Sequence, residues 1–325
     1  MRLTLPGFFD LQVNGFGGID FNDAAITHDR VLAALDAMRA TGVTRCLPTL
    51  ITSSFEQFAD CARVLADVSH PAIAGIHMEG PYLSPNDGAR GAHPIQHVAR
   101  AAEVDDFKRR QDAARGRIVL VTLAPEVPGA LRLIERLVDS AIRVAIGHTD
   151  ASPAQIADAV TAGATLSTHL GNGCAQTLPR HPNVIWEQLA ADGLEASLIV
   201  DGHHLPPSTV KALVRAKGVE RTMLVTDAIA AAGCRPGRYT IGGVACELGE
   251  DGRVSLPGTP YLAGSGLTMD RAVANTAKFT GLPIDEVVPM ASTRPAHYLG
   301  LETLGRITAE WDPESCEFSV RSARS

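Results

Sequence analysis

The 325-residue chain is short of several things, and each shortage removes a class of function. Aromatic residues make up only 5%, too few for the stacking platforms on which proteins bind bases or long sugar chains. Positive charge is scarce: 29 Lys and Arg stand against 36 Asp and Glu, a net charge of −7. The basic residues are scattered and form no stripe of the kind that nucleic acid or anionic lipid requires, so neither nucleic acid nor a membrane is an expected partner. No apolar run approaches the roughly 18 to 20 residues that span a bilayer. The start, Met1-Arg-Leu-Thr-Leu-Pro6, runs into a strand-like segment instead of a signal peptide, and a cytoplasmic location is expected. Cys46, Cys61, Cys174, Cys234, Cys246 and Cys316 include no Cys-x-x-Cys pair, and a chain of this length needs no disulfide staples, so all six are expected to be reduced.

What is present is 45% hydrophobic and 20% charged residues, the composition of a globular protein. The length suits two average domains or a single α/β barrel. Eight short runs rich in β-branched and apolar residues, at 8–13, 43–50, 72–78, 118–123, 143–147, 164–169, 196–200 and 222–226, alternate with amphipathic stretches. In those stretches Leu131, Ile134, Leu137 and Val138 share one helical face, as do Val31, Leu32, Leu35 and Met38. Eight such units predict a (β/α)8 TIM-type barrel. The alternative, a doubly wound sheet, usually has fewer strands and a phosphate fingerprint after the first one. Here Asn14-Gly-Phe-Gly-Gly18 lacks the third glycine of that fingerprint. After the eighth run, the Gly- and Pro-rich segment at about 233–264 reads as a β-hairpin insertion over the barrel mouth. Helices follow at about 266–280, 283–290 and 292–299. A short tail at about 305–325 ends in a polar stretch, Asp312 to Ser325, without helical or strand period. The whole chain, 1–325, reads as one domain.

Active sites of α/β barrels lie at the C-terminal ends of the strands. Four runs end there in polar residues: Ala74-Gly-Ile-His-Met-Glu79, Ala145-Ile-Gly-His148, Leu166-Ser-Thr-His169 and Leu224-Val-Thr-Asp227. A lone His at a strand end is more often a hydrogen-bonding loop residue than a ligand, but four such ends of the same sense converge on one mouth. One Glu and two imidazoles suit a zinc-like ion that keeps a position open for water, and a further carboxylate beside that water can take its proton. Glu79, His148 and His169 are therefore the candidate metal ligands and Asp227 the candidate general base. The same donors accept iron(II), manganese or cobalt.

These residues sit in seven motifs: Pro6-Gly-Phe-Phe-Asp-Leu-Gln-Val-Asn-Gly15, His77-Met-Glu-Gly-Pro81, Gly147-His-Thr149, Thr168-His-Leu-Gly-Asn172, Asp201-Gly-His-His204, Val225-Thr-Asp-Ala228 and Leu262-Ala-Gly-Ser-Gly-Leu-Thr-Met269. In this order, from Pro6 to about Leu301, the chain resembles the N-acetylglucosamine-6-phosphate deacetylase family of the amidohydrolase superfamily. The resemblance implies a metal-dependent hydrolase that removes acetyl from an amino sugar phosphate, with Glu79, His148 and His169 on the ion and Asp227 as acid/base. It also implies that His93 polarises the scissile carbonyl and that Asn172, Gly173 and His204 hold the phosphate. By the same resemblance Arg180 reaches the neighbouring site of a homodimer. Many amidohydrolases hold a second metal with His-x-His at the end of strand one. This chain has Gln12-Val-Asn14 there, and since amides are poor zinc ligands a single ion is expected. Gln12 and Asn14 either satisfy loop backbone groups or touch substrate.

The chain departs from the family in two places. The strand-six His is followed by Leu170-Gly-Asn-Gly-Cys174 where the family commonly has Tyr-Asn-Ala-Met, which changes the wall around the sugar. Only Met1 to Leu5 precede the Pro-Gly-Phe motif, so the companion β-sandwich is expected to be reduced or absent. The barrel edge it would cover must then be polar, covered by the tail, or buried in a dimer. Two other readings stay open: an amidohydrolase acting on another small amide, such as an N-acyl amino acid or a cyclic amide, and a sugar-phosphate-binding relative without catalysis.

Overall fold

The computed structural model describes residues 1–259 and 261–324. The chain enters through β1 (Arg2–Pro6) and lays down the first barrel strand, β2 (Phe8–Val13), then a small hairpin of β3 (Gly15–Phe16) and β4 (Ile19–Asp20), then α1 (His28–Arg39). Six strand–helix units follow: β5 (Val43–Ile51) with α2 (Phe55–Asp67), β6 (Ile76–Glu79) with α3 (Val104–Ala113), β7 (Ile118–Leu123) with α4 (Ala130–Asp139), β8 (Arg143–Ile146) with α5 (Pro153–Thr161), β9 (Leu166–Ser167) with α6 (Val184–Ala190), and β10 (Glu195–Ile199) with α7 (Pro207–Lys217). The eighth barrel strand is β11 (Thr222–Val225). Pairing is parallel throughout, in the order β11-β10-β9-β8-β7-β6-β5-β2. A parallel bridge from Val13 to Ala228 brings the two ends together. This is the expected (β/α)8 TIM-type barrel.

Strands covered on both faces read as continuous apolar runs, not alternating ones. In β5 only Arg45 of nine residues is not buried. The helices lie on the barrel along narrow stripes: α4 buries Ala130, Leu133, Ile134 and Leu137. Leu131, Val138 and Leu32, placed by sequence on the inner faces, are exposed, because a helix over a sheet buries a stripe narrower than its whole run of apolar residues. The start of α5 is set by a Ser152–Gln155 capping box with Pro153 at the first turn, chemistry that satisfies the free N–H groups there.

The insertion is larger than a hairpin. It forms a three-stranded antiparallel sheet, β12 (Gly237–Ile241), β13 (Val244–Leu248) and β14 (Val254–Ser255). Its small core of Ile241, Cys246, Leu248 and Val254 packs on Ile51, Ile229 and Ala263 at the barrel mouth. Three helices follow, α8 (Met269–Thr280), α9 (Ile284–Ala291) and α10 (Thr293–Tyr298).

The tail departs from the expectation. Instead of an aperiodic polar stretch it forms β15 (Arg306–Asp312) and β16 (Glu317–Arg324), which pair antiparallel with each other and with β1 in the order β1-β15-β16. Ile307, Ala309, Trp311 and Phe318 point inward, but charged residues on the outer face and the turn at 313–316 hide the alternation. The sheet beside the barrel has three strands among the described residues, and the tail covers the barrel beside the start of β2, where the Phe8 and Phe318 rings lie 6.0 Å apart. All six cysteines are free. No helix among the described residues is long and apolar enough to cross a membrane.

Candidate active site

The strand ends that carry the chemistry share an unusual backbone. His148, His169 and Asp227, just past β8, β9 and β11, have φ of 50°, 30° and 49°, left-handed values that cost a residue with a Cβ roughly 1–3 kcal/mol each. Surrounding bonds hold them there. The His169 N–H donates to Ser197 Oγ at 2.8 Å. The Asp227 N–H donates to Gln12 O at 2.9 Å, and the Asp227 carbonyl accepts from the Ser265 N–H at 2.9 Å. Such strain persists only where the fold over-determines it. Here it turns three side chains off their strands into one mouth.

Glu79 Oε1 lies 3.2 Å from His148 Nε2 and 3.1 Å from His169 Nε2, and the two imidazole nitrogens are 3.1 Å apart. The edges of this triangle are close to the ~3.3 Å that separates ligands at Zn–N distances of ~2.0–2.1 Å in a tetrahedron. The tautomer fits too. His148 Nδ1 sits 3.0 Å from the Ala89 carbonyl, which can only accept, so the proton is on Nδ1 and the Nε2 lone pair faces the triangle. Burial alone would raise the Glu79 pKa, but the neighbouring His148 and His169 hold the carboxyl well below its ordinary value. The donors therefore suit a divalent cation. Glu79, His93 and His148 also offer ligand atoms within 4.8 Å of one another, but His93 Nε2 stands farther out, 3.3 Å from His148 Nε2 and 4.0 Å from Glu79 Oε2.

The amides at the end of β2 support this centre. Gln12 Nε2 donates to Glu79 Oε1 at 2.8 Å and Asn14 Nδ2 to Asp227 Oδ1 at 2.7 Å. Asp10, pushed up to about 7 by burial, accepts from the Gln12 N–H and from both the N–H and the hydroxyl of Thr226. It ties the segment before Asp227 to the one that carries Gln12. Asp227 itself is raised to about 6, first by burial and then by the Glu79 charge. His93 Nδ1 lies 2.9 Å from Thr52 Oγ1, and burial pushes this imidazole down to about 3, so it is neutral.

A cavity of about 550 Å³ opens above these groups, within the ~300–1,000 Å³ of small-ligand sites. It gathers Glu79, His93, His148, His169 and Asp227 with Asn172, Gly173 and His204. Gln12 stands behind Glu79 and does not line it, and Arg180 is an exposed loop residue that does not line it either. Sequence reasoning left Asp10, Thr52 and Asp201 without roles, and for Asn14 it offered only loop backbone groups or substrate, not the Asp227 carboxylate that it meets. For Asn14 and Asp10 the signal was their place in the Pro6–Gly15 motif, each two positions from Gln12. Gly173 is required by close approach: its φ is 57°, and a Cβ there would stand 2.9 Å from His148 Nδ1. Gly173→Ala is expected to displace that ring and to lower kcat/KM at least ~10-fold, with a lower melting temperature. Steady-state kinetics and a thermal melt check this, and unchanged kinetics would contradict it.

The comparisons with known proteins point to one family. The amidohydrolase family profile matches residues 3–313. The N-acetylglucosamine-6-phosphate deacetylase of Lysinibacillus sphaericus is 33% identical over 319 residues, 97% of this chain and 81% of the relative. The N-acetylgalactosamine-6-phosphate deacetylase of Shewanella sp. is 35% identical over 328 residues, 95% of this chain and 79% of the relative. A solved structure of a mutant N-acetyl-D-glucosamine-6-phosphate deacetylase from Mycobacterium smegmatis, in complex with N-acetyl-D-glucosamine-6-phosphate, superimposes with a TM-score of 0.91 at 32% identity, covering 99% of this chain and 85% of that one. The motifs, the barrel and the strand-end cluster thus lead to one assignment: the chain belongs to the amidohydrolase family, in the branch of the N-acetylglucosamine-6-phosphate deacetylases.

Proposed function

We propose that the protein hydrolyses the acetamide of N-acetylglucosamine 6-phosphate, or of a close N-acyl amino sugar phosphate, giving acetate and the amino sugar phosphate. The observation that carries this reading is the Glu79–His148–His169 triangle at the floor of a cavity that also contains Asp227. In this reading these three residues hold one divalent ion, zinc by the character of the donors, with iron(II), manganese or cobalt as substitutes. When bound, the ion supplies an acidified water and a Lewis acid for the acyl carbonyl. A single ion follows because Gln12 and Asn14 already donate to Glu79 and Asp227.

Asp227, ionised and oriented by Asn14, takes the proton of the attacking water and later delivers it to the leaving nitrogen. A Thr52 hydroxyl that donates to His93 Nδ1 leaves the His93 proton on Nε2, the atom toward the cavity, where it donates to the carbonyl oxygen as charge develops. Because the base must be unprotonated, kcat is expected to fall as pH drops through the Asp227 pKa. That limb lies at or below about 6, since a bound cation favours the carboxylate. A pH–rate profile whose acid limb stood well above that value would contradict the assignment.

Asn172, Gly173 and His204 receive the phosphate. Arg180 of a second copy adds to them in a homodimer, a reading supported by its exposure and by its not lining the cavity of its own chain. The deciding experiment compares N-acetylglucosamine with and without the 6-phosphate, with the ion supplied. The phosphorylated sugar is expected to have kcat/KM higher by at least ~100-fold, the scale of two or three charge-assisted hydrogen bonds. Equal turnover of the two, or faster hydrolysis of an N-acyl amino acid, would overturn the substrate assignment.

A further inference from the structure

We propose that Asp201 is the positioning residue that makes His204 a cationic donor to the substrate's phosphate. The inference rests on the function proposed above and names a residue that the function does not yet use.

The cavity has a charge problem. Among the described residues no Lys or Arg lines it, whereas the carboxylates of Glu79 and Asp227 do. A phosphate monoester brings a charge of about −1.5 to −2 at neutral pH. A divalent ion at the Glu79 end serves the amide, so the anion needs its own positive group at the far end. His204 is the one imidazole in the cavity with a carboxylate partner outside the Glu79 cluster, among the described residues.

That partner is built in. Asp201 Oδ2 accepts from His204 Nδ1 at 2.7 Å, and Oδ1 accepts the backbone N–H groups of His203 and His204, each at 2.8 Å. The two side chains are only 9% and 8% exposed, so the carboxylate has little water to lean on. Burial alone would raise Asp201, but the His204 hydrogen bond and the two backbone donors hold it below its ordinary value. The loop is pinned from outside as well, where His203 Nε2 meets the Asp251 carbonyl of the insertion at 3.1 Å.

The tautomer then decides the chemistry. With the Nδ1 proton committed to Asp201, a neutral His204 would present a bare lone pair at Nε2, which repels an oxyanion. Only the imidazolium presents an N–H there. The 2.7 Å bond to a buried carboxylate fixes the ring, and Nε2 is the nitrogen left for a ligand in the cavity that His204 lines.

The test is a double-mutant cycle read as phosphate preference, the ratio of kcat/KM for N-acetylglucosamine 6-phosphate to that for N-acetylglucosamine. Asp201→Asn is expected to lower the preference at least ~10-fold, mostly through KM for the phosphorylated sugar. In a His204→Gln background the same substitution is expected to change the preference by less than about twofold, because its effect runs through the imidazole. Circular dichroism and a thermal melt establish that each variant is folded. An equal loss in both backgrounds, or a loss confined to kcat, would overturn the proposal. A wild-type enzyme without phosphate preference would instead overturn the function on which it rests.

Discussion

Asp227→Asn is expected to lower kcat by about a thousandfold, within the range for losing a positioned general acid–base group, with KM changed little. The substitution suits the site unusually well. Asn has nearly the same shape, tolerates the left-handed backbone at φ 49° better than most residues, and keeps an oxygen to accept the Asn14 amide. What it loses is the capacity to carry a proton. It also removes a buried carboxylate raised to about 6 by burial and by Glu79. The folded pKa lies above the unfolded value, so between about pH 4 and pH 6 the native state binds the extra proton and stability falls as pH rises. The variant lacks that loss, and at neutral pH it is expected to melt no lower than the parent. A catalytic drop of three orders with an unchanged melting curve separates loss of proton transfer from loss of fold. Undiminished hydrolysis by the variant would remove Asp227 from the mechanism.

Much of this was legible in the sequence because the chemistry sits at strand ends. A parallel strand buried on both faces is a plain apolar run, so its polar terminus is conspicuous: Glu79, His148, His169 and Asp227 each follow such a run. What stayed hidden are residues whose role depends on partners far along the chain. Asn14 meets Asp227 across 213 positions, and Gln12 meets Glu79 across 67. Nothing in Gln12-Val-Asn14 says whether those amides face backbone, substrate or side chains. Asp201 was hidden differently. It stands three residues from its partner, but whether a short Asp-x-x-His segment closes on itself depends on backbone turning at Gly202, whose φ is 85°. The β15–β16 tail escaped notice because its inward positions are few and its outward ones charged. Sheet pairing with β1, not local propensity, decides that segment.

Removal of the ion is expected to abolish turnover, a fall of at least ~1,000-fold that added zinc reverses, because the acidified water it would supply has no substitute among the side chains. The convergence of one carboxylate oxygen and two imidazole nitrogens within 3.1–3.2 Å makes the metal-free state electrostatically awkward. Glu79 is held low by the histidines and His169, despite its burial, is raised by Glu79, so in the absence of a cation a proton occupies part of its place. Loading with zinc is therefore expected to release protons, measurable in weakly buffered solution. At an ion concentration ~1,000 times Kd, it should stabilise the fold by about 4 kcal/mol. The choice of third ligand is settled by metal content. His169→Ala is expected to retain less than about a tenth of an equivalent after dialysis, since two remaining donors do not close a site. His93→Ala, whose imidazole stands farther from both Glu79 and His148, is expected to retain about one equivalent while losing rate through the carbonyl contact. The reverse outcome, with the ion lost from the His93 variant and kept by the His169 variant, would exchange the roles of these two histidines and leave the carboxylate and His148 as the fixed pair.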